Sequence, residues 1–430
     1  MQASLGIGML GLGTVGSAVA ARLIGEWEML GARAGVTPVL RRVAVRDLTR
    51  TRDVDLRNVE LTSDAQALVD DPAVDIVVEV MGGVEPARSL ISRALQRGKT
   101  VVTANKAVIA ESGPALAGLA ASHGAGLWFE AAVGGGLPIV ALLRASLGAD
   151  VVRGVDSIVN ATTNIMLTRM REEGVRFETA VAEAQRRGFA EADPSSDVDG
   201  WDAAYKLVIM SWLAFGVHVE PEAVDRRGIR DVRLHDLAYT GQLGYSVKLV
   251  AHAERAVRSG AVHLRVRPTA VPADHPLYAV DDSDNAVIIS SDLADTVILS
   301  GLGGGGASTA SAVVSDVVQA ARTRGCPPAA PLTAEPVLLS DEDVEVAGYL
   351  RLIVDPSGEA QAAAVQMLED RGVPVTAAFD KPPLDGPFPQ LLLLTGAAPR
   401  AVHDRALETL DTLPVVREIA CAMDRIESAA

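Results

Sequence analysis

The sequence predicts an α/β chain in three parts: a doubly wound parallel sheet, an α+β middle region and a C-terminal βαββαβ segment. Three observations predict it. Over the first 130 residues strand-like apolar runs alternate with helical spacing, and repeated βα units imply a parallel sheet. From 131 that alternation gives way to a glycine loop, a long helical region and short strands. From about 343 the order is strand, helix, two strands, helix, strand, which is ferredoxin-like. A chain of 430 residues also exceeds what one core supports. The expected domains are 1–135 joined by about 305–335, then 136–304, then 343–430.

The elements follow in order. LGIGML (5–10) is a short apolar strand ending at a glycine turn, and 16–30 has the apolar spacing of one helix. VLRRVAVR (39–46) alternates like a strand, and VDIVVEV (74–80) is continuously apolar, as in a buried parallel strand. Residues 85–98 read as a helix with proline in the first turn and glycine past the end. A strand at 100–104, a helix at 106–124 and a strand at 127–130 complete this part. A glycine loop (131–138), a strand (152–160) and a helical region (165–216) open the middle part. Short strands dominate 228–300, before a second glycine loop (300–309), a helix (310–325) and a proline-rich linker (326–336).

Composition excludes several classes. The net charge of −16 and pI near 4.9 argue against nucleic acid or an anionic membrane as partner, because phosphate binding needs basic surface. Two cysteines, Cys326 and Cys421, cannot build a disulfide framework. The start MQASLGIGMLGLG lacks the basic region of a signal peptide, and no stretch approaches the roughly 20 apolar residues of a membrane span. A cytoplasmic protein is the expectation. Only five basic residues are lysines, and lysine, unlike arginine, can give up its proton when buried.

Gly11-Leu12-Gly13-Thr14-Val15-Gly16 is GxGxxG after a strand and before a helix, the Rossmann-type dinucleotide fingerprint. Its glycines allow the turn, the approach of a pyrophosphate and helix packing, and the helix N-terminus favours phosphate charge. Arg46 follows the second strand, where arginine accommodates a 2′-phosphate, so NADP(H) is preferred; Asp47 leaves NAD(H) open. Thr103 and Lys106 close the fourth strand, where open α/β sheets bind ligands. In GFAEADPSSDVDGWDAAYK (188–206), Asp202 and Lys206 share a helix face, as a plain ion pair or as a carboxylate beside a proton-transferring lysine. Asp197 or Asp199 can cap that helix, Asp193-Pro194 makes a turn, and the spacing of a calcium loop is absent.

Residues 184–206 fit A-x3-G-aromatic-small followed by D-P-x2-D-aliphatic-x-G-x-D-x3-K, and so resemble the homoserine dehydrogenases. GLGTVG, the VRD after the second strand, GG-x-EPA (82–87), TANK, EAAVGGGLPI (130–139), NATTNIMLT (160–168) and GGGGASTASAVVSD (303–316) continue the resemblance over about 1–340. The C-terminal segment resembles an ACT domain. The resemblance implies reversible NAD(P)H-dependent reduction of L-aspartate 4-semialdehyde to L-homoserine, the branch towards threonine, methionine and isoleucine. It implies that Glu191 and Asp202 orient the amino acid, with Asp197 a third acidic position. Lys206 matches the proton donor, Lys106 a lysine contacting substrate and cofactor, and Gly303 lies in a cofactor loop; which lysine moves the proton stays open. Glu130, Val133, Gly135 and Leu137 match a sodium site built mainly from carbonyls. A homodimer or homotetramer is implied.

Two departures stand out. Ala161 replaces the usual glycine of N-G-T-[TS]-N, and Asp355-Pro-Ser-Gly-Glu359 replaces D-x-P-G-hydrophobic in the ACT-like turn. The alternatives are an aspartate-semialdehyde dehydrogenase, for which neither cysteine is suitably placed, and a non-catalytic NADP(H)- and amino-acid-sensing regulator.

Overall fold

The computed structural model describes residues 4–323, 334–356, 358–383 and 386–428. Cys326 and most of the 326–336 linker fall outside these residues, as does Ser357 of the ACT-like turn. In chain order the structure has β1 (Ser4–Leu10), α1 (Thr14–Gly25), α2 (Trp27–Ala34), β2 (Thr37–Ala44), β3 (Glu60–Thr62), α3 (Ala65–Asp70), β4 (Ile76–Glu79), α4 (Ala87–Gln96), β5 (Thr100–Thr103), α5 (Lys106–Ser122), β6 (Leu127–Trp128) and α6 (Ile139–Ala141). Then come β7 (Val152–Ile158), α7 (Ala161–Glu173), α8 (Phe177–Arg186), α9 (Ser195–Val198), α10 (Trp201–Phe215), β8 (Asp225–Arg226), α11 (Leu234–Gln242), β9 (Tyr245–Arg255), β10 (Val262–Pro272), β11 (Asp284–Ser291), β12 (Thr296–Leu302) and α12 (Gly306–Arg322). The last are β13 (Glu345–Val354), α13 (Ala360–Asp370), β14 (Val375–Lys381), β15 (Gln390–Pro399), α14 (Arg400–Leu410) and β16 (Val416–Arg425).

Two compact units share this chain. The first is Met1–Val155, Tyr205–Val224 and Ser283–Pro336; the second is Asp156–Ala204, Asp225–Asp282 and Val337–Ala430. The first holds a parallel sheet in the order β3-β2-β1-β4-β5-β6. β4 is buried along its whole length, as its unbroken apolar run requires. α4 buries Ala87, Leu90, Ile91, Ala94 and Leu95, one apolar stripe at helical spacing. Ile7, Met9 and Val78 from the sheet pack with Val19 and Leu23 of α1 and with Val313 and Val317 of α12.

The second unit carries a mixed sheet in the order β7-β9-β10-β16-β13-β15-β14, with β8 beside β10. Its last four strands with α13 and α14 form the expected βαββαβ order. Leu350, Leu352, Leu391 and Leu393 bury one sheet face against Ala364 and Leu368 of α13 and Ala406 and Leu410 of α14. β16 runs parallel to β10 through Thr269–Asp424 and Ala270–Arg425, so this segment continues the middle sheet. Arg351 reaches from β13 to Asp236 of α11, with Nε at 2.7 Å from Oδ1 and Nη2 at 3.1 Å from Oδ2. Asp236 is fully buried, and Tyr349 and Gln390 complete the network.

Several boundaries differ from expectation. The helix expected at 16–30 is two helices, because Gly25 ends α1 and Glu26 leaves helical geometry with φ −118° and ψ 25°. β3, α3 and α11 were not marked by any periodic run. The strand before the second glycine loop runs to Leu302, past the expected loop start at 300, and α12 starts at Gly306, earlier than 310. Ala161 is the first residue of α7, where a helical φ suits any residue, so losing the usual glycine strains nothing. Among the described residues no helix is long and apolar enough to cross a membrane.

Candidate active site

The fingerprint loop assigns one task to each glycine. Gly11 has φ +100°, and a Cβ there would lie 2.8 Å from the Val80 carbonyl oxygen. At Gly16 a Cβ would lie 2.6 Å from the carbonyl oxygen of Gly11, so this glycine lets α1 close on the turn. Gly13 differs. Its φ of −82° suits any residue, and a Cβ there meets nothing within 4 Å among the described residues, so neither strain nor crowding by them requires glycine. The first amides of α1 receive no side-chain cap. Open space before uncapped amides fits a pyrophosphate. α12 begins alongside: a Cβ at Gly306 would lie 2.9 Å from Thr14 Cγ2. Gly303 is needed for packing, since a Cβ would fall 2.1 Å from the Asn285 side chain.

Beyond β2, Arg46 is exposed. Asp47 is committed to its own turn, accepting from the Thr49 amide at 2.8 Å and the Thr49 hydroxyl at 2.6 Å. At the ends of β4 and β5, Glu79 is fully buried and accepts from the Thr103 hydroxyl at 2.6 Å and the Met81 amide at 2.8 Å. Burial pushes its carboxyl above the usual range against these bonds. The Thr103 hydroxyl accepts from the Asn105 amide at 3.0 Å, Asn105 caps α5 at Val108, and Lys106 is the first residue of that helix. Lys106 is thus placed by a relay of buried bonds from Glu79.

The loop after β6 turns on Gly134 and Gly135, at φ 71° and 64°. The Glu130 carboxylate accepts from the Val140 and Ala141 amides, both at 2.8 Å, and caps the helix starting at Ile139. The carboxylate is therefore a cap, and the Glu130 carbonyl accepts from the Val133 amide at 3.2 Å. The Glu130 amide donates to Asp316 of α12 at 2.8 Å. Burial, with Glu130 beside it, pushes the Asp316 carboxyl up to about 8. Arg144 stacks 4.3 Å from the Phe129 ring centre, and burial pulls its guanidinium down to about 10.

In the second unit one side chain gathers the acidic run. Asn160 Nδ2 donates to Asp197 Oδ1 at 2.7 Å and to Asp202 Oδ2 at 2.8 Å. Its Oδ1 accepts from the amide and hydroxyl of Thr163 at 2.7 and 2.8 Å, which fixes the amide's orientation. Both Nδ2 protons are used, and two carboxylates are held together. Asp202 is buried. Glu191 is exposed on the loop after α8, whose carbonyls at Glu191 and Ala192 accept from Gln185 at 3.0 and 3.1 Å. Asp193 accepts from the Ser195 amide at 3.0 Å, as its turn role requires. Asp199, one of the two candidates for capping the helix, accepts from Arg230 Nη2 at 3.0 Å. Lys206 follows Asp202 by one turn of α10, and the division between the units falls between Ala204 and Tyr205.

Comparison with known proteins fits this arrangement. The homoserine dehydrogenase NAD-binding domain model matches residues 11–130, and the homoserine dehydrogenase model matches 138–318. This chain belongs to the homoserine dehydrogenase family. The Synechocystis homoserine dehydrogenase is 47% identical over 73% of this chain and 72% of its own. A homoserine dehydrogenase from Thiobacillus denitrificans has a TM-score of 0.93 at 34% identity, over 99% of this chain and 100% of its own. A hyperthermophilic archaeal homoserine dehydrogenase in complex with NADPH has a TM-score of 0.62 at 32% identity, over 76% of this chain and 99% of its own. The activity is that of a homoserine dehydrogenase, an NAD(P)-dependent oxidoreductase of amino-acid biosynthesis acting on a small molecule.

Sequence reasoning about this homoserine dehydrogenase missed Asn160 and Glu79 as site-builders. Each left a signal: Asn160 ends a strand two residues before a threonine pair, and Glu79 is an acid inside an apolar strand. Asp316 left none, because a single acid on a helix looks like solvated surface.

Proposed function

We propose that this homoserine dehydrogenase prefers NADP(H) and that Lys206 and the Asp197–Asp202 pair carry its substrate chemistry. The observation that carries the reading is the Asn160 amide, which holds two carboxylates together one helical turn before Lys206. Paired carboxylates hold a cation, either the substrate ammonium or a lysine ammonium. Asp202, buried and fixed, orients; Lys206 gives a proton to the alkoxide that forms as the aldehyde is reduced. Bound nicotinamide supplies the hydride. Lys106, set at the start of α5 by the Glu79–Thr103–Asn105 relay, contacts substrate and cofactor. Glu191, on its exposed loop, contributes to amino-acid recognition.

The α1 amides and Gly11 to Gly16 would hold the pyrophosphate, with the Gly303 loop alongside. The NADP(H) preference rests on Arg46, which is exposed, while Asp47 is engaged by Thr49. The archaeal relative's NADPH complex is consistent with it. The carbonyls of Glu130, Val133, Gly135 and Leu137 offer hard oxygen donors suited to sodium, which would brace the loop. The βαββαβ segment would serve as an ACT-like assembly or regulatory module of a homodimer or homotetramer.

The test is Lys206→Ala in a homoserine-dependent NADP⁺ reduction assay. kcat should fall far more than tenfold while NADP(H) affinity stays near wild type. A variant that keeps over a tenth of kcat, an effect under about 1.4 kcal/mol, removes the proton-donor role.

A further inference from the structure

Away from the residues discussed so far, the second unit holds a cluster for which the reaction has no use. His252 and Glu254 lie two apart on β9 and therefore on one face of the strand. His263 on antiparallel β10 pairs directly with Glu254. His252 Nε2 lies 3.8 Å from Glu254 Oε1, and His263 Nδ1 lies 3.9 Å from the same oxygen. The three ligand atoms all fall within 4.8 Å of one another.

We propose that His252, Glu254 and His263 form a binding site for one divalent transition-metal ion, zinc or a neighbour in the first row. Three features support it. A point equidistant from the three atoms lies about 2.5 Å from each at most, so small side-chain rotations reach the roughly 2.0–2.2 Å of zinc–nitrogen and zinc–oxygen bonds. His252 already has the outer partner that metal-bound histidines keep: its Nδ1 lies 2.7 Å from Asp156 Oδ1. That bond fixes the ring and turns Nε2 towards Glu254. His263 is 9% exposed, and among the described residues its Nδ1 has no hydrogen-bond partner. A buried ring nitrogen left unmatched calls for an occupant, and a metal ion supplies one.

The surrounding charge agrees. Asp156 and Glu254 set two carboxylates against Arg265, which faces the cluster from β10 opposite His252 and is itself 3.5 Å from Asp424. Two imidazoles and one carboxylate select zinc, cobalt, nickel or copper over magnesium or calcium. Three protein ligands leave a coordination position for water, and the ion would tie β9 to β10.

The experiment titrates Zn²⁺ into the chelator-stripped full-length protein against a chromophoric competitor, with Co²⁺ absorption reporting the ligand field. One Zn²⁺ per chain is expected, together with the visible Co²⁺ bands of a low-coordinate nitrogen–oxygen site. His263→Ala and Glu254→Gln should each weaken Zn²⁺ by at least about tenfold, and Asp156→Asn, which loosens His252, by about tenfold. His123→Ala, at an exposed histidine elsewhere in the chain, should bind as wild type. If His263→Ala does not fold, Glu254→Gln decides, because that carboxylate is 43% exposed and can be neutralised without a cavity. Sub-stoichiometric binding overturns the proposal, and so does Zn²⁺ affinity unchanged in Glu254→Gln.

Discussion

Replacing Gly13 with alanine separates binding from folding within one loop. The new methyl meets no protein atom within 4 Å, and φ of −82° is ordinary for alanine. Alanine is a poorer helix cap than glycine but restricts the unfolded chain, and these small effects oppose each other to within about 1 kcal/mol. The folded domain should therefore tolerate the change. The methyl instead occupies the approach to the α1 amides. Losing or stretching one charge-assisted hydrogen bond to the pyrophosphate costs about 1.5–3 kcal/mol, a rise in Kd of roughly 10- to 150-fold. Titration of NADPH fluorescence measures the Kd, and calorimetry of the apo-protein measures Tm. Gly16→Ala is the contrast, since its methyl would lie 2.6 Å from a backbone carbonyl and should lower Tm itself. The reasoning fails if Gly13→Ala binds NADPH within twofold of wild type, or if it loses as much Tm as Gly16→Ala.

Three further outcomes are expected. Arg46→Ala should weaken NADP⁺ by about 30-fold, near 2 kcal/mol, and leave NAD⁺ almost unchanged; equal losses in a two-cofactor kinetic comparison would remove Arg46 from the 2′-phosphate site. Asp316 is raised from 3.8 to about 8, so between those pH values the unfolded chain releases this proton and the folded chain keeps it. Stability should therefore fall as pH rises through that window, by up to about 1.4 kcal/mol per pH unit, and urea melts of Asp316→Asn should lack that slope. Asp236→Asn leaves Arg351 buried without its counter-charge and should cost about 3 kcal/mol, whereas pairing it with Arg351→Met should recover most of the loss; a single-variant cost below about 1 kcal/mol in denaturant would argue against a buried, desolvated pair.

The parallel sheet was legible because β1, β4 and β5 are short, mainly apolar runs with glycine or proline between them, and period and punctuation survive in any context. α2 was not separable from α1, because apolar spacing continues through Gly25 and Glu26 and only backbone angles show the break. Asp202 and Lys206 could be placed on one helix face from their four-residue spacing alone. Asn160 could not be joined to Asp197 and Asp202, which lie 37 and 42 residues further on, because that contact depends on how α7 meets α9 and α10. Glu130 shows the opposite limit: the sequence marked the position, but a carboxylate that caps the next helix cannot be told in one-letter code from one that faces a ligand.

The outer margin of β10 is covered by three pieces of chain rather than by one strand. Val262 bonds to Val337 and Leu339 at its start, β8 lies beside Arg265 and Val266, and β16 with Ile426 covers Thr269 and Ala270. An uncovered strand is a template for sticking to other chains. Two of these three covers come from residues after 336, so the C-terminal segment occupies strand-edge groups that would otherwise be open to other chains. Trimming it in search of a minimal enzyme would open both ends of β10. A protein shortened in this way should be judged first by whether it stays dispersed, and only then by its turnover.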